Sequence, residues 1–331
     1  MKIDFVCRSQ NISVGTYRIL IKDLSEVLRS QGHDVEIHSS PQKTRHDATV
    51  IYSKGDVGLY NPDTMDNRIF GAISLSGDSN QRFHFSIVNS VEEKKSVEHL
   101  CKETIIINLE EMMYKNANRK THNQTQEFTV GYHGSYTHLP KLRGDFVSAF
   151  RRMLKIGANM KFACLSNDSR IAENILEEIG MPMDFVQTKD WSYDGAKEFI
   201  LKSDVGVLPN LTSNLDPRIL SATAVARDGT YNTDYVYRFK NKSNPGRSFV
   251  FIQLGIPVIT DLTPSMMPLY HDEICGAVAT NEHTWIKAFQ RFMDANERNK
   301  TSAMAYERFT QLYSMERDAI KLVEAIERIK K

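Results

Sequence analysis

Short apolar runs alternate along this chain with stretches in which apolar residues recur three and four positions apart. Residues 2–7, 34–38 and 48–53 read as strands of a buried sheet. Between the first two, Tyr17, Leu20, Ile21, Leu24, Val27 and Leu28 place one stripe of a helix toward a core, and Gly32 follows as its C-cap. Strand, helix, strand is the unit of an open parallel sheet. Residues 56–68 are polar, with turns marked by Gly58 and by Asn61-Pro62-Asp63. Strands resume at 72–75, 85–89 and 104–109, with a helix at 92–100. Residues 115–127 carry almost nothing apolar and read as an interdomain linker.

A second series begins with a strand at 128–132, and the loop His133-Gly134-Ser135-Tyr136-Thr137-His138 leads into a helix that buries Phe146, Ala149, Phe150, Met153 and Leu154. Strands follow at 161–165, 184–186, 204–208, 256–260 and 276–279, with helices at 171–179, 196–201 and 247–254. The tail is helical: Trp285, Ala288, Phe289 and Phe292 form one core stripe, and Ile320, Val323, Ile326 and Ile329 a later one. The expected fold class is α/β, with two Rossmann-like doubly wound domains, 1–120 and 121–315. C-terminal helices pack across them, and a last helix, 316–331, returns to the first domain. Residues 212–238 interrupt the pattern with a long polar insertion, of the kind that is often functional.

Length and composition narrow the class. A chain of 331 residues suits two cores. A net charge of +1, with 25% of residues charged, gives no overall field favouring nucleic acid or an anionic membrane. The apolar stretch at the N-terminus is too short and too charged for a signal peptide, and no run approaches the ~20 apolar residues of a spanning helix. A cytoplasmic location is therefore expected, with peripheral contact at the inner membrane surface kept open. Cys7, Cys101, Cys164 and Cys275 lack CxxC spacing and fit reduced core residues, and the sequons at Asn123 and Asn210 are chance matches. His33 and His38 read as surface residues. No G-x-G-x-x-G follows the first strand of either half and no Walker lysine loop occurs, which argues against nicotinamide and P-loop chemistry. The lack of Asp-x-Asp argues against a cation held on a diphosphate, so no metal and no cofactor is expected.

The richest stretch is 241–261, N-K-S-N-P-G-R-S-F-V-F-I-Q-L-G-I-P-V-I-T-D, read as loop, helix and strand. Lys242, Ser243, Asn244, Gly246, Arg247 and Ser248 fall where the helix begins. Unpaired N–H groups and a partial positive charge there attract anions. The competing reading is an ordinary capped helix in which Ser and Asn serve as caps and Arg247 is solvated. Phe249 and Phe251 anchor the helix on different sides.

Two α/β halves, a glycine in the first loop of each, and the runs Asp204-Val-Gly-Val-Leu-Pro and Leu254-Gly-Ile-Pro-Val-Ile resemble the GT-B glycosyltransferases. The nearest likeness is to the large retaining family that uses nucleotide-diphosphate sugars. Ser13-Val-Gly15 and Gly131-Tyr-His-Gly-Ser135 match that family's glycine loops more weakly. The resemblance implies transfer of a sugar from a nucleotide-diphosphate donor to a hydroxyl of a glycan, lipid-linked or small-molecule acceptor. Gly134, Ser135, Lys141, Lys242 and Arg247 would then hold the diphosphate, and Thr188, Asp190 and Trp191 the nucleoside. Gly15 and the loop at Ser76-Gly77-Asp78 would face the cleft, with Asp78 or His84 orienting the acceptor or acting as base. Lys242 and Val250 stand where the retaining family carries two glutamates, and Tyr132 where it often carries an arginine. A nucleotide-sugar epimerase or hydrolase of the same fold, and a non-catalytic two-domain sugar-binding protein, are the alternatives.

Overall fold

The computed structural model describes residues 1–42, 46–52, 69–75, 83–209, 211–213, 237–239, 244–261 and 263–331. The chain divides into two compact units, Met1–Met112 with Tyr313–Lys331, and Met113–Leu312.

The first unit is built on six parallel strands, β1 (Lys2–Val6), β2 (Asp34–His38), β3 (Ala48–Tyr52), β4 (Ile69–Ile73), β5 (Phe83–Val88) and β6 (Cys101–Ile106), in the spatial order β2-β1-β3-β4-β5-β6. Successive residues of β1 point to opposite faces. Ile3 and Phe5 join the core that also holds Leu20, Leu24 and Leu28, whereas Val6 joins Ile51, Phe70, Ala72 and Phe83 on the other side. Burial on both faces is why these strands read as apolar runs and not as alternations. The helix expected after β1 is interrupted: Gly15–Tyr17 and Leu24–Ser30 are α-helical, and Arg18–Asp23 between them is a π-helix. Arg18, Ile19, Leu20, Ile21 and Asp23 are all buried there, so this part of the helix has core on nearly every side. The helix Met315–Lys330 belongs to this unit and buries Met315, Ala319, Leu322, Ala325 and Ile326 in its core. Glu110 accepts from the Met315 N–H at 2.7 Å, and Asp318 accepts from both nitrogens of Asn108 at 2.8 Å.

The second unit repeats the plan with β7 (Phe128–Gly134), β8 (Met160–Ser166), β9 (Val186–Asp190), β10 (Val205–Leu208), β13 (Val258–Thr260) and β14 (Ala277–Val278), in the order β14-β13-β10-β7-β8-β9. Two short strands, β11 (Leu211–Ser213) and β12 (Tyr237–Phe239), pair antiparallel at the ends of the insertion. One face of the sheet is covered by an aromatic cluster in which Phe146 meets Trp285 at 5.1 Å and Phe162 at 5.7 Å between ring centroids. The helix Gly246–Gln253 is buried nearly all round: Phe249 packs on Phe309 and Phe251 on His133, each at 4.9 Å, on different sides as their spacing requires.

Other sequence readings change as well: Ile320, expected on the core stripe of the last helix, is 48% exposed. The strand expected at 184–186 is a 3-10 turn, Met183–Phe185, and the pairing strand is the polar Val-Gln-Thr-Lys-Asp that follows. An edge strand has one side open to solvent and needs no apolar run, so its signal was weak. The polar run 115–127 is no free linker, since it lies within the second unit. The Lys120 N–H donates to the Leu254 carbonyl, Lys120 Nζ reaches the Ser203 carbonyl at 2.7 Å, and His122 Nε2 meets the Gly255 carbonyl at 2.9 Å. Arg298 Nε, fully buried, lies 3.2 Å from His122 Nδ1. Polar residues read as solvated therefore hold one another and neighbouring carbonyls.

Candidate anion site at the switch point of the second sheet

The chain leaves β7 for β8 and β9 on one side and returns to β10, β13 and β14 on the other, so strand order reverses between β7 and β10. Open α/β sheets take ligands at the carboxyl ends of strands beside such a reversal. Gly134 ends β7 there with φ at +134°, a conformation that L side chains rarely adopt. A Cβ on it would lie 2.9 Å from Cδ of Arg247 and 3.4 Å from the Tyr132 hydroxyl. The glycine is thus required by the close passage of the arginine.

Arg247 sits across the reversal. Its guanidinium lies 5.7 Å over the Tyr132 ring, and Nη2 donates to the carbonyl of Pro209, just past β10, at 3.4 Å. Its own carbonyl accepts a 2.8 Å hydrogen bond from His133 Nε2, so that nitrogen carries a proton, and the His133 ring rests edge-on against Phe251. His133, near the end of β7, is 8% exposed and fixes the start of the helix. Tyr132 is fully buried, burial pushes its pKa well above the ordinary phenol value, and its hydroxyl donates to the Ser135 carbonyl at 2.6 Å. The phenol standing at the resemblance's arginine position therefore shapes the loop as a neutral group.

The first turn of the helix is partly occupied. Asn244 Oδ1 accepts from the Gly246 N–H at 3.2 Å, and the Ser248 N–H and hydroxyl both donate to the Pro245 carbonyl, at 2.8 and 2.7 Å. Ser248 is fully buried. Asn244 and Ser248 are thus bonded within the loop and the first turn, while the N-cap position itself is Pro245, with no side-chain cap. Ser135 caps the 3-10 helix Tyr136–Leu142, accepting from the Thr137 N–H, and Lys141 is the penultimate residue of that helix. Val250 is buried inside the helix Gly246–Gln253, where it contributes packing. Lys242, Ser243, Asp78 and the loop Ser76-Gly77-Asp78 lie outside the described residues, as do the side chains of the 212–238 insertion.

Gly134 pairs with Ser166 on β8, and Ser166 with Asp190 on β9, so the three ends line up on one edge. The nucleoside residues expected there are not equally available. Thr188 donates to Glu173, and Asp190 Oδ1 accepts from the Ser169 N–H at 2.6 Å, a bond that holds the Asp190 carboxyl below its usual range. Trp191, half-buried, follows directly and donates its N–H to the Ser166 carbonyl at 2.7 Å. Sequence reasoning missed Asn167, whose Oδ1 accepts from the Tyr136 N–H at 3.1 Å and ties the end of β8 to the Gly134 loop. The signal was present in Ser166-Asn167-Asp168, the polar triplet that ends a strand of the same sheet.

In the first unit, Gly15 opens the helix after β1, and Arg18 Nη2 lies 3.8 Å from where its Cβ would stand. His84 is corrected as a base candidate. It is the second residue of β5, at the amino end of a parallel strand, and its Nδ1 accepts from the Phe70 N–H at 3.0 Å. Burial, with Lys102 adding repulsion, lowers its pKa. A hollow of about 560 Å³ lined by Asn118, Arg119, Lys120, Gly255 and Asn299 lies beyond the C-terminal end of the helix Gly246–Gln253, away from Arg247.

No family model and no curated protein matches the sequence. Solved structures do match. A glycosyltransferase from Rickettsia africae aligns with a TM-score of 0.65 at 11% identity over 100% of this chain and 98% of its own. Anabaena HepE, solved with UDP and glucose, aligns with a TM-score of 0.60 at 12% identity over 99% and 100%. TarM aligns with a TM-score of 0.58 at 12% identity over 84% of this chain, which spans only 54% of TarM's length. The fold is GT-B. Among the described residues, no helix is long and apolar enough to cross a membrane.

Proposed function

We propose that this chain is a glycosyltransferase that moves a sugar from a nucleoside-diphosphate sugar to a hydroxyl of a glycan, a lipid-linked intermediate or a small molecule, with retention at the anomeric carbon. The observation that carries the proposal is Arg247, positioned over Gly134 at the reversal of strand order. Two similar folds were solved with UDP, HepE together with glucose and a TarM variant together with α-GlcNAc-glycerol.

On this reading the donor's diphosphate lies against the Arg247 guanidinium, and the absence of a side chain at Gly134 lets Arg247 pass close to the end of β7 and reach it. As the glycosidic bond breaks, the leaving diphosphate gains negative charge. A cation fixed beforehand by the Tyr132 ring and the Pro209 carbonyl then stabilises the transition state more than the bound donor. Lys141 and Lys242 are proposed to add charge, and Trp191 to pack on the base. Asp190 and Thr188 would shape that pocket through the helix Ser169–Glu178, to which both are bonded. Val250 is apolar where a retaining enzyme's glutamate is expected, so contact with the sugar hydroxyls passes to other residues.

The test is product formation from UDP-, GDP- and ADP-linked sugars with an acceptor panel, read by release of nucleoside diphosphate and by the anomeric proton of the product. Acceptor-dependent release supports transfer. Conversion to an epimeric sugar without acceptor, or no release from any donor, overturns it.

A further inference from the structure

Away from the anion site, the first unit gathers two histidines and two carboxylates on one face of its sheet. Glu36 and His38 are two residues apart on β2 and so point the same way, and Asp4 on β1 is the register partner of Glu36. His46 enters just before β3, the strand on the other side of β1. Glu36 Oε2 lies 2.8 Å from His38 Nε2 and 3.5 Å from His46 Nε2, and the three donor atoms all fall within 4.8 Å of one another. Asp4 Oδ1, fully buried, stands 3.7 Å from His38 Nε2. His38, expected on the surface, is half-buried in this cluster, and His46 is buried.

We infer that His38, His46 and Glu36 form a site for a divalent transition-metal ion of the Zn²⁺ type, with Asp4 balancing its charge. Zn–N and Zn–O bonds of about 2.0–2.2 Å in a tetrahedron place neighbouring donors roughly 3.3 Å apart, and the separations here bracket that value. Two imidazoles with one carboxylate suit Zn²⁺, Ni²⁺ or Cu²⁺ and disfavour Mg²⁺ and Ca²⁺, which prefer all-oxygen shells. Two neutral imidazoles, two carboxylates and one dication sum to zero charge, which lowers the cost of placing the ion against buried Asp4. Glu36 is exposed, so the fourth position faces solvent and takes water. The ion would tie the end of β2 to the entry of β3. The inference is independent of the proposed transfer reaction, whose groups lie in the other unit.

The experiment uses the full chain without a histidine tag, stripped with a chelator. Co²⁺ is titrated under visible spectroscopy, and ZnCl2 and MgCl2 under calorimetry, on the parent, Glu36→Gln and His46→Ala, with circular dichroism to confirm folding. One equivalent of Co²⁺ should give the intense visible bands of a tetrahedral ion, displaced by Zn²⁺ and not by Mg²⁺. Either variant should bind Zn²⁺ at least about 10-fold more weakly. Because Glu36 is exposed, Glu36→Gln tests the site without threatening the fold. No saturable binding, or a folded variant that binds as tightly as the parent, overturns the inference.

Discussion

Arg18 and Arg247 each stand near the start of a helix, against a glycine at or beyond the end of the first strand of their unit. Arg18 is enclosed: its side chain and that of Glu111 are 7% and 8% exposed, Nε and Nη2 both donate to the Glu111 carboxylate, and Nη1 donates to the Ile12 carbonyl at 2.7 Å. Arg247 is half-buried, with its guanidinium over the Tyr132 ring, Nη2 donating to the Pro209 carbonyl and its aliphatic stem passing Gly134. The same residue type on the same sheet plan thus serves as a structural ion pair in one unit and, on the function proposed above, as the charge offered to a diphosphate in the other. What separates them is the partner. A buried carboxylate takes up the guanidinium's charge and its forked donors, whereas an aromatic ring and a carbonyl chiefly fix its direction.

Breaking the enclosed pair should give the largest effect. Glu111→Ala leaves Arg18 charged among apolar neighbours and is expected to cost about 3–5 kcal/mol of stability, seen as early melting of the first unit in calorimetry. Arg247→Ala should leave melting nearly unchanged but weaken nucleoside diphosphate binding and turnover about 10- to 100-fold, the worth of one charge-assisted contact. Gly134→Ala sharpens the contrast by moving Arg247 without removing it. Its strained φ and the 2.9 Å approach to Cδ should cost roughly 1–3 kcal/mol in urea unfolding and reduce binding as well. Gly15→Ala meets only the tip of Arg18, at 3.8 Å, and should be nearly silent in the same assays.

The smallest effect concerns pH. Asp23, on the π-helix, is pushed up to about 6 by burial, with the nearby carboxylates Glu111 and Glu26 adding to the rise and Lys22 and Arg18 opposing it. Its folded pKa lies above the unfolded value of 3.8, so the folded state keeps a proton that the unfolded chain has lost. Stability from this group is therefore present below about pH 4 and lost as pH rises to about 6. Asp23→Asn should flatten that part of the profile and stabilise the protein near neutral pH by about 1–2 kcal/mol, measured by chemical unfolding at a series of pH values. An unchanged profile would place the titration elsewhere.

The fold was legible because buried parallel strands announce themselves as apolar runs, as in Asp-Val-Gly-Val-Leu and Ile-Pro-Val-Ile. What stayed hidden was whatever depends on a partner remote in sequence. The polar edge strand β9 is defined by its pairing with β8, and residues 115–127 look like a linker until Asp204, Gly255 and Arg298 are placed around them. At the site, sequence supplied Gly134 and Arg247 but not that they touch, since 113 residues separate them. It also offered Ser248, Asn244, Thr188 and Asp190 as ligand groups, and each is bonded within the protein. Hydrogen-bonding capacity is visible in a residue type, whereas its occupation is visible only in the fold.

The most direct test of the account is a calorimetric titration of UDP, GDP and ADP into the parent chain and into Arg247→Ala. At least one nucleoside diphosphate should bind the parent, and its Kd should rise about 10- to 100-fold in the variant, with the melting temperature preserved. Equal affinity in the two proteins, or no binding of any of the three to the parent, would contradict the assignment of Arg247 as the residue that holds the diphosphate.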